Sequence, residues 1–253
     1  TDLGGFAAST FKRGIQFINV PTTLLSMVDA SVGSKTGVDL GNLKNLIGCF
    51  CDPEMVLVDI DFLKTMSNRD LNSGVAEIIK YGLSYDKHLW KKLQQNKDFS
   101  NSNIPDIIHR SIEIKNEIEL QDLKENNLRK VLNFGHTVGH AIESYFLDNT
   151  HKTSLTHGEA IGIGMIIEAY ASSQLIGFPE KEVELIKENI TALYGKTSIK
   201  DSDYKPILVL MKHDKKNVGD SVNFVLLEAI GKFKIDCKVP QEVLTLGLNY
   251  YGN

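Results

Sequence analysis

The stretch Asn133-Phe134-Gly135-His136-Thr137-Val138-Gly139-His140-Ala141-Ile142-Glu143, with Thr156-His157-Gly158-Glu159 after it, decides how this chain is read. Two histidines four residues apart share one face of a helix, and a third arrives on a separate segment. Such a set suits a divalent metal, for which imidazole is a common ligand. Imidazoles at this spacing also occur as capped or hydrogen-bonded core groups, so the pair alone leaves both readings open. His109, His136, His140 and His157 cluster in this part of the chain, which favours a metal enzyme.

Toward the N-terminus the pattern changes. Gln16–Val20 and Met55–Asp59 are short β-rich runs between turn residues, and they predict buried parallel strands. Thr23–Ala30 and Lys44–Phe50, between them, read as short helical or loop elements. From about Asn68 onward the apolar period is helical, over Asp70–Tyr81, His88–Gln95, Ile104–Leu120, Arg129–Phe146, Gly158–Ile176 and Glu180–Tyr194. Ser67-Asn68 marks the boundary, with Asn68 or Asp70 placed to cap the first helix. Asn96–Pro105 and Asp148–Thr156 are polar connections, and Val222–Leu227 and Lys232–Asp236 flank a glycine turn that predicts a hairpin. The expected fold is α/β material over residues 1–67 followed by a mainly helical domain over 68–253.

Composition narrows the function. A net charge of −4 gives no general attraction to nucleic acid or to an anionic membrane, so an anionic substrate must be held by a local cluster of cations. Cys49, Cys51 and Cys237 match neither a zinc ribbon nor a C-x-x-C redox pair, and predict reduced thiols in the cytoplasm. No run of about 20 apolar residues is present and no basic-then-apolar leader opens the chain, so a soluble protein is expected.

Three further groups carry charge in suggestive places. Asp29-Ala-Ser-Val-Gly-Ser-Lys35-Thr-Gly37 brings glycine backbone near a lysine without the order of a Walker P-loop, and a plain glycine turn explains it as well. Glu77 and Lys80 sit among Val75, Ala76, Ile78 and Ile79. A carboxylate there needs a cation or metal if buried, or forms an i,i+3 ion pair if exposed. Lys115, Arg129 and Lys215-Lys216 supply positive charge that becomes a phosphate or carboxylate clamp only if it converges.

Taken in order, Asp2–Thr10, Arg13-Gly14, Val20–Leu25, Asp29–Gly37, Lys44–Gly48, Ala76–Gly82, Asn133–Glu143, His157–Glu159 and Asp214–Asn217 resemble the 3-dehydroquinate synthase family over essentially the whole chain. The resemblance implies a remnant of a Rossmann-like NAD-binding domain followed by a helical metal- and substrate-binding domain. It implies NAD and a divalent metal, zinc or alternatively cobalt, as cofactors, and a homodimer. The implied reaction converts 3-deoxy-D-arabino-heptulosonate 7-phosphate, a phosphorylated keto-acid sugar, into 3-dehydroquinate and phosphate. It proceeds by transient oxidation with NAD, phosphate elimination, re-reduction and intramolecular aldol closure.

Carried over position by position, the resemblance makes Glu77, His136 and His157 the metal ligands, and Lys35, Lys80, Glu125 and His140 catalytic. Substrate contacts fall on Arg13, Asp29, Lys35, Asn45, Lys80, Lys115, Arg129, Asn133, His140 and Lys215, with Arg13 reaching across a dimer interface. The positions implied for NAD are Asp2, Thr22, Thr23, Lys44, Phe62, Leu63, Lys64 and Thr65. The family's glycine-rich pyrophosphate turn falls before Thr1, and about the first hundred residues of the usual domain are absent, so a shortened form is expected. Ser34 and Leu43 stand where the family usually has glycine, Ser67 where it commonly has proline, and Asp148–Thr156 carries a short insertion. Competing readings are another sugar phosphate cyclase, a metal-dependent polyol dehydrogenase, and a catalytically silent fragment.

Overall fold

The computed structural model describes residues 1–40, 43–95, 103–212 and 222–253. Along the chain these form α1 (Asp2–Thr10), β1 (Ile18–Asn19), β2 (Lys35–Leu40), β3 (Leu43–Phe50), β4 (Met55–Val56), α2 (Asn68–Ser84), α3 (Lys87–Gln95) and α4 (Ile104–Gln121). There follow α5 (His136–Asp148), α6 (His157–Ile176), α7 (Glu180–Tyr194), α8 (Asp201–Lys212), β5 (Phe224–Ala229), β6 (Lys232–Cys237) and α9 (Gln241–Gly252). Internal contacts divide the chain into one unit of Thr1–Glu77 with Phe99–Gln121 and another of Ile78–Asp98 with Asp122–Asn253.

In the first unit β1 and β4 pair in parallel, Ile18 against Met55 and Asn19 against Val56. The parallel pairing agrees with the sequence, but the expected burial does not: Ile18 is 54% exposed and Met55 51%. A pair of two-residue strands is too small to shield either of its faces. Lys44–Phe50 is a second correction, because it is a strand rather than a helix or loop, paired antiparallel with β2 so that Gly37 faces Gly48. A Cβ at Gly48 would overlap the Thr36 carbonyl oxygen. The two glycines therefore let the backbones close together, and cross-strand pairing overrides local preference. Helix α1 packs on β2.

Helix α2 starts where the sequence predicts, with a different cap. The Ser67 hydroxyl accepts the Asp70 amide at 3.1 Å and donates to the Asp70 carboxylate at 2.6 Å, so Ser67 caps the helix in place of Asn68 or Asp70. The residue that departs from the family's proline is thus the one that starts the helix.

The second unit is mostly helical. Arg129–Phe146, predicted as one helix, is broken. A 3-10 turn covers Leu128–Asn133, Phe134 is extended, and Gly135 takes a left-handed backbone with φ 79° before α5 begins at His136. The apolar period runs through the break, which is why periodicity misses it; the left-handed glycine is the physical interruption. Helix α6 is buried on all sides from Ala160 to Ala169, as a central core helix is. Its start is a capping box: the Thr156 hydroxyl accepts the Glu159 amide at 3.3 Å, and the Glu159 carboxylate accepts the Thr156 amide at 2.7 Å. The predicted hairpin is present as β5 and β6, antiparallel, with Leu227 opposite Phe233.

The connection from α5 to α6 is tied down through Asp203 on α8. Its carboxylate accepts from Lys152 Nζ at 2.7 Å, the Lys200 amide at 2.8 Å and the Tyr145 hydroxyl at 2.8 Å. Burial pushes the Asp203 carboxyl up, but these donors outweigh it and hold the group below its ordinary value of 3.8. A lowered acid contributes stability that is complete above its unfolded value and lost as pH falls through the folded one. Wild type should therefore be more stable than Asp203→Asn by a constant margin from pH 7 to about 4, and the margin should shrink below that. Thermal melts across this range check it; a margin unchanged in stronger acid counts against the network.

Candidate metal centre

Glu77 lies on the apolar helix α2 among Val75, Ala76, Ile78 and Ile79, all buried, and is itself only 1% exposed. Lys80, one turn on, is 2% exposed, with its ammonium 4.8 Å from the centroid of the Tyr81 ring. The exposed i,i+3 ion pair on a solvated face is therefore excluded. The contact division falls between Glu77 and Ile78, inside helix α2, so Glu77 shares that helix with the residues that follow it.

Both candidate ligand histidines of this group, His136 and His157, are the first residues of their helices. His136 follows Gly135 at the start of α5, and His157 follows the Thr156 cap of α6. The Nδ1 of His136 lies 3.1 Å from the Phe134 carbonyl oxygen, which can only accept, so this contact requires the proton on Nδ1 and, in the neutral ring, makes Nε2 the metal-binding nitrogen. The Nδ1 of His157 faces a carboxylate oxygen of Glu143 at 3.4 Å, with the same consequence. Carboxylate and carbonyl partners of this kind orient metal-binding imidazoles. Donor atoms of Glu77, His136 and His157 all lie within 4.8 Å of one another. One carboxylate and two imidazoles so placed match a divalent ion such as zinc, which binds these donors at about 2.0–2.2 Å and keeps a further position open in catalytic sites.

His140, Glu143 and His157 form a second group by the same measure. The three imidazole rings are mutual neighbours, with centroids 5.1 Å apart for His136 and His140 and 5.9 Å for His140 and His157. Helix geometry alone cannot choose between His136 and His140. The buried Glu77 favours the first group.

Just before α5, the Asp122 carboxylate accepts the backbone amides of Asn126, Asn127 and Arg129 at 2.7–3.0 Å. Burial raises its pKa, yet these amides prevail and keep the carboxyl below the ordinary value. The turn it folds holds Glu125 with a left-handed backbone, φ 59°, and points it at Asn133, whose amide donates to it at 2.7 Å. Non-glycine residues held in this region are uncommon and cluster at functional sites. Arg129 is 2% exposed and donates from Nη1 to the Leu123 carbonyl at 2.7 Å.

In the first unit, Lys115 Nζ donates to the Asp29 carbonyl at 2.5 Å and lies 3.2 Å from its carboxylate. These two predicted substrate residues are thus brought together. Arg13 ends an exposed turn with φ 68°, Lys35 is exposed at the start of β2, and Asn45 (φ 49°) gives its amide to Asp39 at 2.6 Å. Of the positions implied for NAD, Asp2 begins α1, Thr22 and Thr23 precede a π-helical turn over Ser26–Ala30, and Phe62, Leu63, Lys64 and Thr65 form a 3-10 helix. Thr23 bonds Ser26 at 2.9 Å, and Lys64 pairs with Asp61 at 2.8 Å. Lys44 lies in β3. Lys215 lies outside the described residues.

Two carboxylates at the centre escaped the sequence reading. Glu143 ends the quoted stretch and had no role assigned; its i+3 position from His140 was the available signal. Glu168 stands alone in the apolar run Gly164-Met-Ile-Ile-Glu168-Ala-Tyr and is fully buried. It accepts the Gly135 amide at 2.8 Å and the Val138 amide at 3.3 Å. Burial pushes its carboxyl up to about 8, with the amides of Gly135, Val138 and Thr137 pulling the other way.

Comparison with known proteins gives a consistent result. A family model described as 3-dehydroquinate synthase N-terminal matches residues 1–73, and one described as 3-dehydroquinate synthase C-terminal matches residues 74–217. The 3-dehydroquinate synthase of Parabacteroides distasonis is 40% identical over 253 residues, covering 99% of this chain and 71% of the relative. That of Clostridium botulinum is 44% identical over 233 residues, covering 91% and 65%. Among solved structures, a 2-epi-5-epi-valiolone synthase from Streptomyces hygroscopicus with NAD and zinc bound superposes with TM-score 0.85 at 26% identity, covering 99% of this chain and 70% of that one. A 2-deoxy-scyllo-inosose synthase complexed with carbaglucose-6-phosphate, NAD and cobalt gives 0.79 at 26%, covering 97% and 69%. An iron-containing alcohol dehydrogenase, at 13% identity and 0.50, shares the fold alone.

Proposed function

The chain belongs to the 3-dehydroquinate synthase family, and from that premise we propose that Glu77, His136 and His157 hold the catalytic metal while His140 carries protons. The observation that supports this most is the donor set itself: a buried carboxylate and two imidazoles with donor atoms within 4.8 Å of one another, each imidazole oriented through Nδ1 by an oxygen acceptor. The reaction is a carbon–oxygen lyase step on 3-deoxy-D-arabino-heptulosonate 7-phosphate, giving 3-dehydroquinate and phosphate. When bound, the divalent metal lowers the pKa of substrate hydroxyls and NAD takes up and returns one hydride.

The remaining work is done by this chain's own side chains. Lys80 and Arg129 are buried cations, suited to an anionic phosphate and carboxylate that water would otherwise solvate. Asn133, oriented by Glu125, offers its amide group to substrate oxygens. His140 sits within ring-contact distance of His136 and His157, which supports an acid-base role for it next to the proposed metal. Lys35, Asp29, Asn45, Lys115 and Lys215 complete the substrate contacts. Asp2, Thr22, Thr23, Lys44 and Phe62–Thr65 serve NAD, so that residues 1–67 work chiefly on the cofactor and 68–253 on metal and substrate. Arg13, on its exposed left-handed turn, would serve a second copy of the chain in a cytoplasmic homodimer.

Identity favours this substrate over those of the other cyclases, at 40% against 26% for the valiolone and inosose synthases. With zinc and NAD supplied, heptulosonate phosphate should yield phosphate and 3-dehydroquinate in equal amounts with no net NADH. Turnover of sedoheptulose or glucose phosphate alone, or NADH accumulating in step with product, would overturn the assignment.

A further inference from the structure

A helix whose first residue must hold a metal needs its start fixed, and α5 lacks the usual means. Its N-cap is Gly135, which makes no side-chain cap. A larger residue is barred there: the backbone is left-handed, and a Cβ would come within 3.0 Å of the Met165 amide nitrogen. The first-turn amides of α5 are buried and would be left unsatisfied, at roughly 1–3 kcal/mol each.

The missing cap comes from another helix. Glu168 on α6, 0% exposed, reaches Gly135 N at 2.8 Å and Val138 N at 3.3 Å with separate carboxylate oxygens. Acceptor oxygens at the amide end of a helix complete its hydrogen bonds. Helix α6 opens with His157 and α5 with His136. The bond from Glu168 to Gly135 therefore ties the helix of one imidazole to the helix of the other.

We propose that Glu168 is a positioning residue for the metal centre: by capping α5 from α6 it sets the spacing of His136 and His157, and so the affinity for the ion. The inference rests on the ligand set proposed above. Glu168 meets the backbone amides of Gly135 and Val138, on either side of His136, so its effect passes through the start of α5.

The test is zinc affinity by chelator competition, with the absorption spectrum of the cobalt-loaded protein as a second readout. In Glu168→Gln the amide NH2 replaces one acceptor and opposes a backbone N–H. Affinity should fall about 10–100-fold, as for outer groups around metals, with a changed cobalt spectrum and helical circular dichroism retained. Glu168→Asp, whose shorter side chain spans the two amides less well, should fall in between, and it decides on the same readouts if the glutamine variant does not fold. A purely structural cap would lower the melting temperature of both variants and leave the affinity and cobalt spectrum of the folded protein unchanged; that result overturns the proposal. Wild type in the same titration separates the two claims, because failure of wild type to bind zinc overturns the ligand set itself.

Discussion

Replacing His136 by alanine is expected to weaken zinc binding by more than about 100-fold, beyond the 10–100-fold carried by groups outside the ligand shell. Glu77→Gln and His157→Ala should do the same, since each removes one of three donors that lie within 4.8 Å of one another. His140→Ala is the informative contrast. His140 belongs to the alternative group with Glu143 and His157, so its loss matters to affinity only if the ion sits there. If Glu77, His136 and His157 are the ligands, the His140 variant keeps zinc affinity within about threefold, well under 1.4 kcal/mol. Its turnover should nevertheless fall by about 10²–10⁴, the range for loss of an acid-base group. Competition with a chromophoric chelator measures the first quantity and phosphate release the second. Loss of affinity in His140→Ala together with near-normal affinity in Glu77→Gln would move the metal to the other group.

Gly164→Ala should be the most damaging single methyl group in the second unit. A Cβ at 164 would overlap the Gly135 carbonyl oxygen and lie 2.7 Å from the Gly139 amide nitrogen, both backbone atoms of the segment that opens α5. Backbone cannot swing aside as a side chain can, so the helices must separate. Overpacking of this kind costs about 3 kcal/mol or more, which for a chain of this size is a fall of about 6–12 °C in melting temperature. Zinc affinity should drop as well, since α5 carries His136. Gly4→Ala is the control, because a Cβ there meets nothing within 4 Å inside α1, and the change should be neutral or stabilising by about 0.5–1 kcal/mol. Equal melting temperatures for the two variants would show that α5 and α6 do not pack backbone to backbone.

Much of this arrangement could be read before any coordinates. Strong helical period marked α3, α4, α6 and α7 almost to the residue, and glycine between two apolar runs marked the hairpin of β5 and β6. What escaped had physical causes. The break at Phe134-Gly135 lies within a continuous apolar period, so only the left-handed glycine betrays it. Strand β3 looks poor in strand formers until its glycine is placed opposite Gly37, a fact of tertiary pairing. Helices α1 and α8 contain Gly4-Gly5 and Pro206, residues that argue against helix locally. For the candidate metal centre, resemblance pointed to the three proposed ligands, whereas Glu143, which faces His157, and Glu168, which meets the amides at the start of α5, needed geometry. Glu168 in particular is one acid in an apolar helix, and nothing in its spacing says which amides it meets.

The short parallel pair of β1 and β4 bears on how this chain behaves at high concentration. Ile18, Val20, Met55 and Leu57 are each about half exposed, and the two strands are the only members of their sheet among the described residues. Outward backbone N–H and C=O groups beside oily side chains offer a template on which further extended chain can add. Clumping that grows with protein concentration, and that a lysine at Ile18 would blunt, is the physical tendency built into that corner of the molecule.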